Sequence, residues 1–415
     1  MANEEIEGEW IGGWPDRKRA KLIEGKDHQG RTILARSPAW ELEGLITPTD
    51  LSYIVAQLDM PEPIHPDDWS LSITGEIAKP LQLGFQDLRS LPSRTVRAVT
   101  ECAGNDAEFF TYLTKEGAHK PTRFDDRDFA EIAKELAKLG QNKGASANLN
   151  IAIPTSGYAS GGEFTGVSLR DVLAEAGLKP EAVAIRAQGF DTGKPDPMLV
   201  YLSAGRRDFK VVDPGVINYD KGLPLAKALD PDTILAWAHN GEMLRHVHGA
   251  PIRLVVPGWS GNWWVKWLEK LEVMNRMPDC YYQTQYFVMA TSPDDPKREP
   301  CTALGVKSVI TTPRDGELAK GKHAVRGLAW GGEGGIARVE VSTDGGASWR
   351  DAVIEEPREK WLWVRFYAPW QVDQPGRYRI MARATDEHAR VQPQIPWNFQ
   401  RKHFDGIVGV DVEVK

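Results

Sequence analysis

The last third of the chain alternates. Ala337-Arg338-Val339-Glu340-Val341-Ser342 switches between apolar and polar side chains at every step, and Val306-Lys307-Ser308-Val309-Ile310-Thr311 and Arg377-Tyr378-Arg379-Ile380-Met381-Ala382 follow it more loosely. Two further runs, His323 to Trp330 and Trp361 to Tyr367, continue the rhythm, with Gly, Pro and Asp turns between them. Period-two alternation over short runs specifies half-buried strands, and several of them in series specify a two-sheet sandwich. Asp344-Gly345-Gly346 reads as one of its hairpin turns.

The preceding residues do not repeat that rhythm. Trp69 to Gly75 alternates as a strand, Gln86 to Leu91 reads as a short helix stopped by Pro92, and residues 168–176 form a helical run closed by Gly177. Ala182 to Ala187, Thr233 to Ala238 and Ile252 to Val256 read as buried strands, and residues 127–139 carry an apolar stripe at helical spacing. There is no regular βαβ alternation and no GxGxxG turn, so a mixed α+β domain is predicted over a dinucleotide-binding fold. At 415 residues the chain exceeds one ordinary core. The expected division is an N-terminal arm at 1–44, a mixed α+β domain at 45–295 and an all-β, immunoglobulin-like sandwich at 296–415.

Charge and cysteine usage exclude several function classes. A net charge of -7 gives no basic surface for nucleic acid. No window holds the run of apolar residues a membrane-spanning helix needs, and the acidic start carries no export signal. The chain as given is read as cytoplasmic, or periplasmic if a signal has been removed. Cys102, Cys280 and Cys301 fit neither a disulfide framework nor a CxxC pattern.

Cys102 is the cysteine with a chemical context. It stands between the strand-like run Thr95-Val96-Arg97-Ala98-Val99 and the turn residues Gly104-Asn105, so its thiol is predicted at the end of a buried strand. A fixed, reachable thiolate suits a nucleophile or a transition metal; a buried structural thiol is the plainer alternative. Three other polar elements stand out: Asp191 after Gly189-Phe190, the segment His246-Val247-His248-Gly249-Ala250-Pro251-Ile252-Arg253, and Lys266 within Trp264-Val265-Lys266-Trp267. Together a His, an Arg and a Lys make a seat for a phosphate-bearing ligand. Singly they read as a core histidine, a strand-edge ion pair and a snorkelling lysine. A zinc site on His246 and His248 is weakened because positions i and i+2 of a strand face opposite ways.

Taken in order, Thr-x-Cys-x-Gly-Asn, then Gly-x-Asp, then His-Gly-x-Pro-x-Arg with Val-Lys-Trp, then Arg-Val-Glu-Val-Ser-x-Asp-Gly-Gly-x-x-Trp, the chain resembles the sulfite oxidase family of molybdopterin enzymes from about residue 45 to its end. Glu163 to Val167 and Val306 to Thr311 are closer to the sulfane dehydrogenase branch. The resemblance implies a molybdenum-molybdopterin cofactor with Cys102 as metal ligand, and Tyr53, Asp191, His248, Arg253, Trp264, Val265 and Lys266 in the pterin site. It matches Tyr286 to an active-site tyrosine and makes the sandwich a dimerisation domain of a homodimer. With no CxxCH segment, electrons are expected to go to an external carrier protein, such as a cytochrome.

The chain departs from that family where an anion would be held. Val55-Ala56-Gln57 replaces an Arg-Asn-His segment, Asp106 and Ala107 stand where two arginines follow the Cys-x-Gly-Asn, and the arginine expected in the sandwich's glycine-rich turn is missing, with Glu333 in the neighbouring position. Desolvating a sulfite dianion without cations costs several kcal/mol. The expectation is oxygen-atom transfer to a neutral or cationic sulfur compound. Sulfite or sulfane sulfur held by Arg123, Arg206 or Arg207 is the first alternative, and a non-enzymatic scaffold with a degenerate cofactor domain the second. Residues 112–149 read as an insertion near the metal.

Overall fold

The computed structural model describes residues 9–11, 21–37, 42, 44–106, 157–195, 213–290, 297–314, 316–394 and 402–415. The expected helix at 127–139, the insertion at 112–149, Ala107, Arg123, Arg206 and Arg207 lie outside them.

Strands dominate the described residues, and the mixed α+β expectation is corrected toward β. The α-helices among them are Phe85–Ser90, Leu169–Ala176 and Leu225–Ala228. The longest of these buries Leu169, Val172, Leu173 and Ala176 and stops at Gly177, whose φ of 70° suits a residue without a Cβ.

Two sheets enclose the larger core. In the first, Ile217–Pro224, Ala184–Gly193, Leu268–Met274, Ser70–Gly75 and Leu81–Gly84 lie side by side, with Leu268–Met274 parallel to Ser70–Gly75. The second runs Glu242–Met243, Ile234–His239, Ala159–Ser168, Ser93–Glu101, and Arg253–Val255 also pairs with Ile234–His239. Strand Ser93–Glu101 begins exposed and ends buried. That gradient delivers Cys102 to the interior. Ile234–His239 turns back through Asn240 and Gly241, both at positive φ, which is the two-residue hairpin their sequence announced. The arm is stitched on through Thr32–Arg36, which pairs with Ile54–Val55.

The C-terminal part is a two-sheet sandwich. One sheet orders Lys307–Thr312, Gly321–Trp330, Val364–Val372 and Val353–Ile354; the other Gly316–Leu318, Val410–Val414, Gly376–Asp386, Ile336–Ser342 and Arg350–Asp351. Their inner faces share a core including Val325, Phe366, Ile380 and Val412. A separate apolar cluster of Val99, Ala159, Leu304, Trp330 and Trp363 joins the sandwich to the strand that carries Cys102. Val99 N–H also donates to Trp361 O across the same junction at 2.8 Å.

Candidate functional site

Cys102 opens onto a cavity walled by residues 52–57, by side chains from strands Ser93–Glu101, Ala159–Ser168, Ala184–Gly193, Ile217–Pro224, Ile234–His239 and Arg253–Val255, and by the turns around His248 and Asn262. Thr100 and Cys102 leave strand Ser93–Glu101 at its buried end, and Cys102 N–H donates to Tyr158 O at 2.9 Å. Asn105 fixes the turn that follows. Its N–H donates to Cys102 O at 2.9 Å and its side-chain oxygen accepts from the N–H groups of Gly157 and Tyr158 at 3.0 Å each. Cys102 stays half-buried, whereas Cys280 and Cys301 are buried. Burial pushes the Cys102 thiol above its ordinary range; the hydrogen bond from Gly104 and the charge of Lys402 oppose that shift, and Glu101 adds to it. A bound cation would offset the effect of burial and favour the thiolate.

Tyr53, Asp191, His248, Arg253, Trp264 and Lys266 all line this cavity with Cys102. Tyr53 Oη and Thr100 Oγ1 share a hydrogen bond of 3.0 Å, and Gly261 is what lets Tyr53 in, since a Cβ there would lie 2.3 Å from its oxygen. His246–His248 is a single 3-10 turn, not the strand expected, and its two rings still diverge: His248 faces the cavity while His246 packs beside Trp267, centroids 5.8 Å apart. Arg253 donates to His248 O at 3.0 Å and Trp264 O at 3.2 Å, and its carbon lies 5.6 Å from the Trp264 ring. Burial pushes Arg253 down to about 10, which leaves it charged. Lys266 donates to Val247 O at 3.2 Å. Burial drives Asp191 up and Lys266 down, and each is partly held back by the other's charge.

Two expected positions fall outside the wall. Val265 is buried behind it, accepting from Leu254 N–H at 2.8 Å. Tyr286 ends a π-helical turn, Tyr282–Tyr286, and does not line the cavity; its neighbour Phe287 does. The tyrosines in the wall are Tyr53 and Tyr219. Tyr219 donates to Asn262 O at 2.6 Å.

Sequence reading missed Phe164, Tyr219, His239, Asn262 and Phe287. The signals were faint: His239 merely precedes the Asn240-Gly241 turn, and the others sit in runs that read as core. His239 stacks on Phe164 with centroids 4.6 Å apart and rings 7° from parallel. Burial, followed by the charges of Arg253 and Arg245, pushes its pKa down to about 3. A histidine depressed below its ordinary 6.5 contributes stability that is whole above that value and lost as the pH falls toward 3. The steepest loss is about 1.4 kcal/mol per pH unit. His239→Phe keeps the stack and removes the titration, so the urea midpoint of the cofactor-free chain is expected to fall less steeply between pH 6.5 and 4 than that of the parent. Identical slopes would contradict this.

The donor set fits an anionic, heteroatom-rich cofactor. Arg253 Nε, Asp191 Oδ1, His239 Nδ1 and Asn262 Oδ1, all on cavity-lining residues, are buried without a hydrogen-bond partner. Buried polar atoms without partners are costly, so this concentration in one cavity argues for a ligand that satisfies them. Among the described residues no group of three or more His, Cys, Asp or Glu is placed to hold a metal. A metal at Cys102 would therefore draw on ligands beyond that set.

The two acids that the sequence singled out, Asp106 and Glu333, do not line the cavity. Asp106 is buried and pairs with Lys307 at 2.5 Å, and Lys307 also pairs with Glu101 at 2.7 Å. Burial alone would lower Lys307, but Asp106 and Glu101 hold it above its ordinary value. Glu333 pairs with Arg390. Val55, Ala56 and Gln57 do line the cavity.

Residues 57–125 and 140–282 match the family described as an oxidoreductase molybdopterin binding domain, and residues 298–402 match the Mo-co oxidoreductase dimerisation domain. A mitochondrial sulfite oxidase of Drosophila melanogaster is 31% identical over 376 residues, 85% of this chain and 56% of that protein. A sulfite oxidase of Arabidopsis thaliana is 28% identical over 84% of this chain and 82% of its own length. The sulfane dehydrogenase SoxCD from Paracoccus pantotrophus superposes with a TM-score of 0.68 at 29% identity, over 91% of this chain and 83% of that chain. The chain thus spans just over half the length of the Drosophila relative.

Proposed function

Because this chain belongs to the sulfite oxidase family of molybdopterin oxidoreductases, we propose that it oxidises a neutral or cationic organic sulfur compound, and not sulfite, at a molybdenum-molybdopterin centre bound through Cys102. The bound cofactor supplies oxygen-atom exchange with the substrate and accepts the electron pair. In balance, the substrate sulfur gains one oxygen atom from water, and two protons and two electrons are released. The electrons leave one at a time to an external carrier protein. The sandwich serves as the dimerisation domain of a homodimer, a reading supported by the dimerisation-domain match.

The chain's own residues divide the work. Arg253, Lys266 and His248 would hold the anionic part of the cofactor, with Arg253 anchored on His248 O and Trp264 O and Lys266 on Val247 O. Asn262 and Asp191 offer hydrogen-bonding oxygens to the ring system, and Asp191 also balances Lys266. Tyr53 and Phe287 exclude water and give the substrate an aromatic wall, which suits a neutral or positively charged sulfur compound.

The observation that carries the substrate reading is the wall at Val55, Ala56 and Gln57, which offers no cation where the sulfite-oxidising relatives' pattern places one. The test is initial rates of the loaded homodimer with ferricyanide as acceptor, comparing sulfite with thioethers. The best thioether is expected to exceed sulfite in kcat/KM by about 100-fold or more, the cost of desolvating an unpaired anion. Robust sulfite turnover at micromolar KM would sink the reading and return Arg123, Arg206 and Arg207 to consideration.

A further inference from the structure

We propose that Lys307, contributed by the sandwich, is a positioning residue for the thiol of Cys102: it clamps the 101–106 loop from the side away from the cofactor cavity.

The clamp spans both parts of the chain. Lys307 opens strand Lys307–Thr312, and only 3% of its side chain is exposed. Its ammonium meets Glu101, the residue before Cys102, at 2.7 Å and Asp106, four residues after it, at 2.5 Å. One buried cation therefore ties both ends of the cysteine turn to the sandwich. Three further hydrogen bonds reach the two carboxylates, while Asp106 Oδ1 stays buried without a partner. Asn105 Nδ2 donates to Glu101 Oε1 at 2.8 Å and Asp106 Oδ2 at 3.1 Å, and Trp330 Nε1 of the sandwich donates to Glu101 Oε2 at 2.8 Å. The C-terminal segment adds a strut, with His403 N–H donating to Ala103 O at 2.8 Å.

Asp106 adopts a left-handed φ of 59°, a conformation that costs energy for a residue with a Cβ. The ion pair with Lys307 is what holds it there. Removing Lys307 would leave two buried carboxylates sharing one amide, and like charges in such a place force one of them outward. Either movement drags Cys102, because the turn between Glu101 and Asp106 has no slack. A helix or an apolar contact would transmit position without such directionality; a network of charge-assisted hydrogen bonds fixes both distance and angle.

The metal half of this inference rests on the reading of Cys102 as molybdenum ligand, whereas the loop half stands on the geometry. The experiment separates them. Cys102 is half-buried while Cys280 and Cys301 are 1% and 0% exposed, so iodoacetamide labelling of the cofactor-free full chain reads the loop with two internal controls. Lys307→Met is expected to raise Cys102 labelling about tenfold or more and leave the other two unchanged, because only the clamp has opened. In loaded protein the same variant is expected to lose molybdenum per chain and to shift the thiolate-to-metal charge-transfer band. Asp106→Asn, which keeps the Lys307–Glu101 pair matched, is expected to change both less. Should Lys307→Met unfold, all three cysteines label together, and Lys307→Arg carries the test: it keeps the charge, but its larger planar fork does not fit the space of a compact ammonium in a site only 3% exposed without moving the loop. Labelling and band identical to the parent in a folded Lys307 variant would overturn the inference. A parent chain that takes up no molybdenum would instead sink the metal reading, with the labelling still deciding for or against the clamp.

Discussion

Cys102→Ser is expected to lower turnover of the loaded enzyme by on the order of 10³-fold or more and to erase the thiolate-to-metal absorption band. Even outer partners of a metal ligand are worth about 10–100-fold in affinity or activity, so removing the protein's own ligand must cost more. The hydroxyl of serine is a hard, weakly acidic donor and does not replace a soft thiolate. The fold is expected to survive, because Cys102 is half-buried and its turn is held by the backbone and side chain of Asn105, not by its sulfur. Cys280→Ala and Cys301→Ala provide the contrast. Burial pushes the Cys301 thiol up to about 12 and drives Cys280 upward as well, so neither supplies a thiolate near neutral pH. Both variants should keep the band. A Cys102→Ser enzyme with parental kcat, or a Cys301→Ala enzyme without the band, would move the metal elsewhere.

The second large effect concerns charge in the cavity wall. Val55→Arg is expected to lower KM for sulfite by about 10–100-fold, since a charge-assisted hydrogen bond contributes about 1.5–3 kcal/mol. Val55 is half-buried and lines the cavity, so a guanidinium there reaches the interior without displacing a core residue. The substitution should leave KM for a neutral thioether unchanged or raise it, and a cationic substrate should suffer most from the added like charge. Steady-state kinetics of both enzymes on all three substrate types give the comparison. Equal sulfite KM in parent and variant would mean that another cation already holds the anion.

The cavity-lining residues were legible because their chemistry is local. A cysteine before Gly104-Asn105, a lysine inside Trp264-Val265-Lys266-Trp267 and the His248-Gly249-Ala250-Pro251-Ile252-Arg253 turn are conspicuous against an apolar background, and the structure brings all three to one cavity. The sandwich was legible for the same reason, since period-two alternation survives in an isolated run. Tertiary pairing was not. Tyr219 and His239 reach the cavity only because distant strands align, and Asp106 turns away from it because Lys307, 201 residues later by numbering, supplies the opposite charge. Read as sequence, Asp106 looked like an acid added to the substrate wall; as structure it is half of a clamp. Tyr286 illustrates register. Tyr286 closes a π-helical turn and lies outside the wall, whereas the next residue, Phe287, lines it.

The proposal places a molybdenum site at Cys102 beside a stretch of wall, Val55, Ala56 and Gln57, that carries no cation. Its most direct test is anaerobic addition of sulfite, then of a thioether, to molybdenum-loaded protein while the Cys102-to-metal charge-transfer absorption is followed. The band is expected to persist with sulfite and to bleach with the thioether, with dithionite bleaching it in a control. Immediate bleaching by sulfite at micromolar concentration would contradict the account.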